Sequence, residues 1–369
     1  MKRPTKRLPL PRTRFALCLL LLVGIAGTTA ACSSADEVVS GNSASQVDDP
    51  SDGPTPAPAK TKKPEAKGGQ VRIAFGGDVH FAGSSAGALN GNVGSAVSVL
   101  KAADLAVVNL ETAVTDRGTA APKEFTFRAP ASAMSTLRNA GIDVVTVANN
   151  HGMDYGRVGL ADTLAAGKSS GLAVIGAGTD VTAAFTPYRK TINGVRVSVL
   201  AATDVLDAFA TNTWPATETT SGLASAKDPE LLLAAVRAAA DDSDVVAVVL
   251  HWGVELQSCP SERQQELARE LTDAGANIVV GSHAHVLEPH VRIGNAAIDY
   301  GLGNFIFYAT KADSTRSGVY SVVVNKQGVV KTAWKPAQIQ SGRPQLLSGA
   351  AAEAASARET ALVDSCGLS

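Results

Sequence analysis

The 369-residue sequence holds only four cysteines, and none of them stands in a CxxC pair. Thiolate-built metal sites therefore lack their usual ligand spacing. Beyond the N-terminal region no apolar run approaches the roughly 20 residues of a membrane-spanning helix, so the body reads as globular. Nor is there an excess of basic charge. The 33 Lys and Arg stand against 34 Asp and Glu, and six of the basic residues fall in the first 31 positions, which hold no acid. The remainder is acidic overall, opposite to the bias of a nucleic-acid binder, and no nucleic-acid partner is expected. Histidine is scarce too, at six. Where those six lie carries most of the chemistry.

The N-terminus has a basic start, an apolar stretch from Phe15 to Ala26 and then small residues. This layout predicts an export signal over residues 1–31. Its end, Thr29-Ala30-Ala31-Cys32, resembles the lipobox of bacterial lipoproteins, although Thr29 stands where that pattern favours an aliphatic residue. The resemblance implies lipidation of Cys32 and attachment to the extracellular face of the cell membrane; cleavage without lipidation would give a secreted protein. Residues 32–69 are rich in Ser, Pro and Asp, with too few apolar side chains to offset the entropy of ordering, and read as a disordered tether. Cys259 and Cys366 remain in the body. In an oxidising compartment this even pair favours a disulfide, pinning the C-terminal tail to the loop after His251, over two independent thiols.

From Gln70 onward, short β-branched runs alternate with Ala- and Leu-rich stretches: Val71 to Phe75, Leu105 to Leu110, Val144 to Val147, Val245 to Leu250 and Ile278 to Val280. Alternation of this kind indicates an α/β fold. Between the last two runs, Arg263 to Ala274 places Leu267, Leu271 and Ala274 at helical spacing. The pieces Val195 to Ala201, Val291 to Tyr300 and Tyr320 to Val330 look like antiparallel strands, and Tyr300 to Phe307 reads as a strand curved by glycine. Two packed sheets with flanking helices are expected in one domain over 70–345. A C-terminal tail with a short Ala-rich helix follows over 346–369. Ala202 to Ala226 has no clear period and reads as a long surface excursion bordering the site.

Each buried run ends in polar residues: Asp78 and His80, then Glu111, then Asn149-Asn150-His151, then His251, then His283 and His285. Five of the six histidines occupy such positions, and His290 lies just beyond. A site at the carboxyl edge of an α/β sheet has this pattern. Taken singly, each residue has an ordinary reading as a helix cap or a solvated group. Together they form a mixed imidazole, carboxylate and amide set suited to Zn, Mn or Fe rather than Ca or Mg. So many donors fit two divalent ions bridged by a carboxylate, a pairing that can activate water and stabilise charge on both oxygens of a displacement.

The series GDVH, NLE, NNH, HWG and SHAH, followed by YGLGNFIF, resembles the CapA family of capsule and poly-gamma-glutamate biosynthesis proteins. CapA domains are in turn similar to calcineurin-like metallophosphoesterases. That resemblance implies a metallophosphoesterase-like two-sheet sandwich with Asp78, His80, Glu111, Asn150, His251, His283 and His285 as metal ligands, Glu111 bridging in place of an Asp. It implies that His151 is a general acid facing the leaving group, with Asp154 orienting it from three residues on. Lys123, Arg128 and Arg157 are candidates to meet anionic substrate groups. The expected function is a metal-dependent hydrolase acting on a phosphoester, or on an acyl or amide bond, in the making of an anionic cell-envelope polymer, within a capsule-synthesis complex. A non-enzymatic, metal-stabilised assembly lipoprotein and a plain secreted phosphatase are the alternatives.

Overall fold

The computed structural model describes residues 69–368. The export signal, Cys32 and the tether up to residue 68 lie outside the described residues. Among them, no helix is long and apolar enough to cross a membrane.

The apolar runs become the inner strands of two sheets. The first, eight-stranded, runs Arg343–Leu346, Gly328–Gln340, Arg316–Asn325, Val71–Val79, Leu105–Leu110, Val144–Thr146, Ala173–Ile175, with Asn304–Ile306 added beside the end of Val71–Val79. The second, six-stranded, runs His290–Ile293, Ala296–Asp299, Ile278–His283, Val245–Trp252, Val195–Thr203, Tyr188–Ile192. Within each sheet the chemistry-bearing strands are parallel, so their carboxyl ends share one edge.

Ahead of their polar carboxyl ends these strands are mostly apolar because both faces are covered, and the period of two separates the faces. Ile73, Phe75, Leu105, Val107 and Val144 meet Val197, Val199, Val245, Ala247, Val249, Ile278 and Val280 between the sheets. The alternate residues of the first sheet, such as Ala106, Val108 and Val145, pack outward on Ser132–Ala140 and Gly156–Ser170. Those of the second, such as Val246, Val248 and Val279, pack on Glu230–Asp242 and Glu262–Asp273. Each fully buried Val or Ile contributes on the order of 1.5–3 kcal/mol. The helix expected from Arg263 starts one residue earlier. Its capping box pairs Ser261 with the backbone and side chain of Gln264, worth about 1 kcal/mol.

Three local expectations change. Residues 202–226 are not simply a surface excursion, because Leu206, Ala210, Trp214 and Leu223 are buried in the helix-side core and Gly222–Leu223 pairs with Ala177–Gly178. Only Asn304–Ile306 of the Tyr300 to Phe307 stretch is a strand, since the preceding backbone bends past Gly301 and Gly303 to reach the end of Val71–Val79. The Ala-rich helix is a full 17 residues, Gly349–Ser365, seated on Gly328–Gln340 and His290–Ile293 with Glu359 buried. Cys259 and Cys366 are joined in a disulfide that fastens this helix to the loop after His251.

Candidate metal centre

The carboxyl ends of both sheets deliver the polar residues to one place. The strand Val71–Val79 shifts register between Gly76 and Asp78, and there Asp78 N–H donates to Gly303 O at 3.0 Å. A Cβ on Gly77 would stand 1.9 Å from that same oxygen, so only glycine lets the two backbones meet. Glu111 is placed by its own N–H, which donates to Val79 O at 2.8 Å. After Val144–Thr146 the chain folds back tightly through Asn149 to Gly152. A Cβ on Gly152 would meet Val147 O at 2.1 Å.

Asp78, His80, Glu111, His151, Asp154, His251 and His283 are all buried. Asp78 Oδ1 accepts from Asn109 Nδ2 at 2.8 Å, and Oδ2 lies 3.2 Å from His285 Nδ1. His251 Nε2 faces Asn150 Oδ1 at 2.9 Å and Glu111 Oε1 at 3.4 Å. Glu111, His283 and His285 each offer an atom within 4.8 Å of the others. His80 joins the group through shared rings: Phe307 packs on both His80 and His285, and Phe127 on both His80 and His151. His283 and His285 have φ of 104° and 56°, left-handed backbone that costs side-chain-bearing residues about 1–3 kcal/mol.

The electrostatics divide the group. Burial holds His80 and His251 down at about 3 and His283 well below its ordinary value, so all three present neutral lone pairs. Burial pushes Asp78 up, but the hydrogen bond and charge of His285, the charge of His251 and the Asn109 bond outweigh it and hold the carboxyl at about 2. Burial, then the neighbouring Asp78 charge, push Glu111 up to about 8. For His285 burial acts downward and is overcome by Glu111 and Asp78, leaving it raised to about 9. Both Glu111 oxygens, His80 Nε2 and His283 Nδ1 are buried without a hydrogen-bond partner. Unpartnered polar atoms gathered in one place are costly, and this set of carboxylate and imidazole groups fits divalent cations.

Beside this group His151 Nδ1 lies 2.7 Å from Asp154 Oδ2, which also accepts from Phe127 N–H at 2.6 Å. The carboxylate thereby fixes the proton on Nδ1. Asp154 Oδ1 is 2.9 Å from Lys123 Nζ, which also donates to Asn150 O and pairs with Asp207 at 3.2 Å.

The structure thus brings Asp78, His80, Glu111, Asn150, His251, His283 and His285 together with His151 and Asp154. The three candidate cations are placed otherwise. Lys123 is almost wholly buried behind Asp154, Arg128 lies over the Tyr155 ring, and Arg157 donates to Ser221 O and Thr213 O. The sequence reading passed over a supporting amide chain, in which Asn149 Nδ2 donates to Asn109 Oδ1 at 3.0 Å and Asn109 Nδ2 to Asp78. It also passed over Ser282 Oγ, 3.2 Å from His251 Nδ1. Both asparagines stand inside the motifs NLE and NNH, which was the available signal. Asn304 also borders the site, its Oδ1 2.9 Å from His285 Nδ1.

A two-sheet α/β sandwich with a buried histidine and carboxylate cluster at its strand ends defines the class. Residues 72–309 match the family model described as bacterial capsule synthesis protein PGA_cap, and the chain belongs to that family. It is 34% identical over 250 residues to the PGA biosynthesis protein CapA of Bacillus subtilis (strain 168), covering 67% of this chain and 64% of that one. It is likewise 34% identical over 236 residues to the capsule biosynthesis protein CapA of Bacillus anthracis, covering 62% of this chain and 56% of that one. The chain therefore spans a little under two thirds of the length of these relatives. A solved structure described as a novel phosphatase of Mycoplasma pneumoniae is 15% identical, with a TM-score of 0.46 over 72% of this chain and 93% of that one.

Proposed function

We propose that this protein is an exported hydrolase of the cell envelope, held to the membrane through a lipid on Cys32, that cleaves a phosphoester during synthesis of a capsule or poly-gamma-glutamate-type anionic polymer, within a capsule-synthesis complex. The observation that carries the catalytic part is the gathering of unpartnered buried polar atoms on Glu111, His80 and His283 beside the His151–Asp154 pair. The polymer context rests on the family and on the names of its relatives.

Asp78, His80 and His285 would hold one divalent cation, Asn150, His251 and His283 a second, with Glu111 between them; Mn, Zn and Fe suit these donors. When bound, such ions polarise a water and neutralise charge on the reacting group. Asp154 holds the His151 imidazole in the tautomer with its proton on Nδ1, so that a protonated ring has Nε2–H to give to the oxygen of the departing group. The Asn149–Asn109–Asp78 amide chain keeps the Asp78 carboxylate in place. Phe127, Phe307 and Tyr308 pack round the imidazoles and limit access of bulk water. A purely metal-stabilised scaffold leaves the buried His151–Asp154 pair without a task.

The test measures metal content and hydrolysis of bis(4-nitrophenyl) phosphate on the same samples. Wild type should carry two cations per chain, and Glu111→Ala should lose them together with turnover. His151→Gln should keep the cations and lose turnover by about 100-fold or more. Turnover retained in His151→Gln, or wild type binding no cation, overturns the reading.

A further inference from the structure

From His151, His285 and Asn304 a cleft of about 280 Å³ leads outward. Its walls include Phe125, Phe127, Leu256, Phe307 and Tyr308. Three of the rings are fixed by the site itself. Phe307, Tyr308 and Phe127 lie 3.8, 4.6 and 4.7 Å from the His80 ring, and Phe127 lies 4.3 Å from His151. Phe125 and Leu256 stand at the rim, 56% and 53% exposed, although both are large apolar side chains. Leu256 is held there by left-handed backbone, φ 61°.

Beyond the imidazoles of the site itself, the charge lining the cleft is small and balanced: Lys311 supplies the basic group and Glu255 the acidic one. Lys123, Arg128 and Arg157 are engaged elsewhere. An anionic chain laid along this cleft would find one cation and one repelling carboxylate, whereas an uncharged flat group would find preorganised ring faces. The cleft begins at His151, on the side from which a departing oxygen takes its proton.

Building on the function proposed above, we infer that this cleft seats the departing limb of the substrate, and that the limb is uncharged and apolar, best matched by a planar ring. Negative charge on the substrate is confined to the phosphoryl group at the cations. Phe125 and Leu256 are specificity-determining residues that select this limb. In the reaction, water adds to phosphorus and sheds one proton, the bond from phosphorus to the limb's oxygen breaks, that oxygen takes the proton of His151, and the shed proton restores His151 through solvent.

The experiment is calorimetric binding of phenylphosphonate, methylphosphonate and triglutamate to the Mn-loaded protein, compared with Phe125→Ser and Leu256→Ser. The two phosphonates share one anionic head, so their affinity ratio reads the cleft alone. Phenylphosphonate should bind about tenfold or more tightly than methylphosphonate, as burial of one ring surface implies, and each variant should shrink that ratio at least about threefold. Equal affinities, a ratio unmoved by both variants, or triglutamate binding more tightly than phenylphosphonate overturns the assignment of the cleft while leaving the cation site intact. Failure to take up Mn and to bind either phosphonate overturns the catalytic reading and this inference with it.

Discussion

Lys123 shows how a side chain with an unremarkable sequence context acquires a structural role. In the segment Pro122-Lys123-Glu124-Phe125 it reads as a solvated charge available to substrate. In the fold it is buried against Asp154, Asp207 and the Asn150 carbonyl, and its ammonium lies 5.4 Å from the centre of the Trp214 ring. Removing it strands the Asp154 carboxylate in a dry environment. Lys123→Met should therefore cost about 3–5 kcal/mol of unfolding free energy in denaturant titration. The double variant Lys123→Met with Asp154→Asn should lose less than the sum of the singles by about 1 kcal/mol or more. Strict additivity would show that the two do not act as a unit. The clustered polar residues themselves were legible because each stands where an apolar run stops. Lys123 was read as a substrate contact, and Asn109, Asn149 and Ser282 were given no role, because a supporting residue shows no period and declares itself only through its partner.

The strand ends are where local chain geometry becomes chemistry. Val71–Val79 can carry Asp78 to the cluster only because Gly77 admits the Gly303 carbonyl, and with it the short strand Asn304–Ile306. Gly77→Ala should push that strand away and release Asp78 N–H from its partner. Mn affinity should fall about 10- to 100-fold in calorimetric titration, with the far-ultraviolet circular dichroism little changed. Unaltered affinity would mean that the pairing does not position Asp78. The order of strands and covering helices was readable because two-faced burial makes inner strands continuously apolar and covering helices amphipathic. Residues 202–226 escaped that reading. Their buried side chains, Leu206, Ala210 and Trp214, sit in turns, and the strand Gly222–Leu223 is too short to show alternation.

Away from the cluster, Glu288 makes the whole fold sensitive to pH. Burial raises its carboxyl from 4.5 to about 8, countered only in part by Gln264, whose Nε2 donates to both oxygens at 3.1 and 2.9 Å. Between those values the unfolded chain holds fewer protons at this position than the folded one. Its contribution is thus fully present below 4.5 and is lost as pH rises through about 8. Glu288→Gln, which keeps an acceptor for Gln264, should gain melting temperature over wild type more at pH 9 than at pH 5; an equal difference at both would refute the assignment. The two sheets carry a separate implication. Asp78, His80, Glu111 and Asn150 ride on one sheet and His251, His283 and His285 on the other, with Phe75, Val107, Val249 and Val280 filling the space between. The gap between the two sets of polar side chains is therefore gauged by hydrocarbon volume. A methylene added or removed in that dry layer would change the distances between side chains that the altered residue never touches.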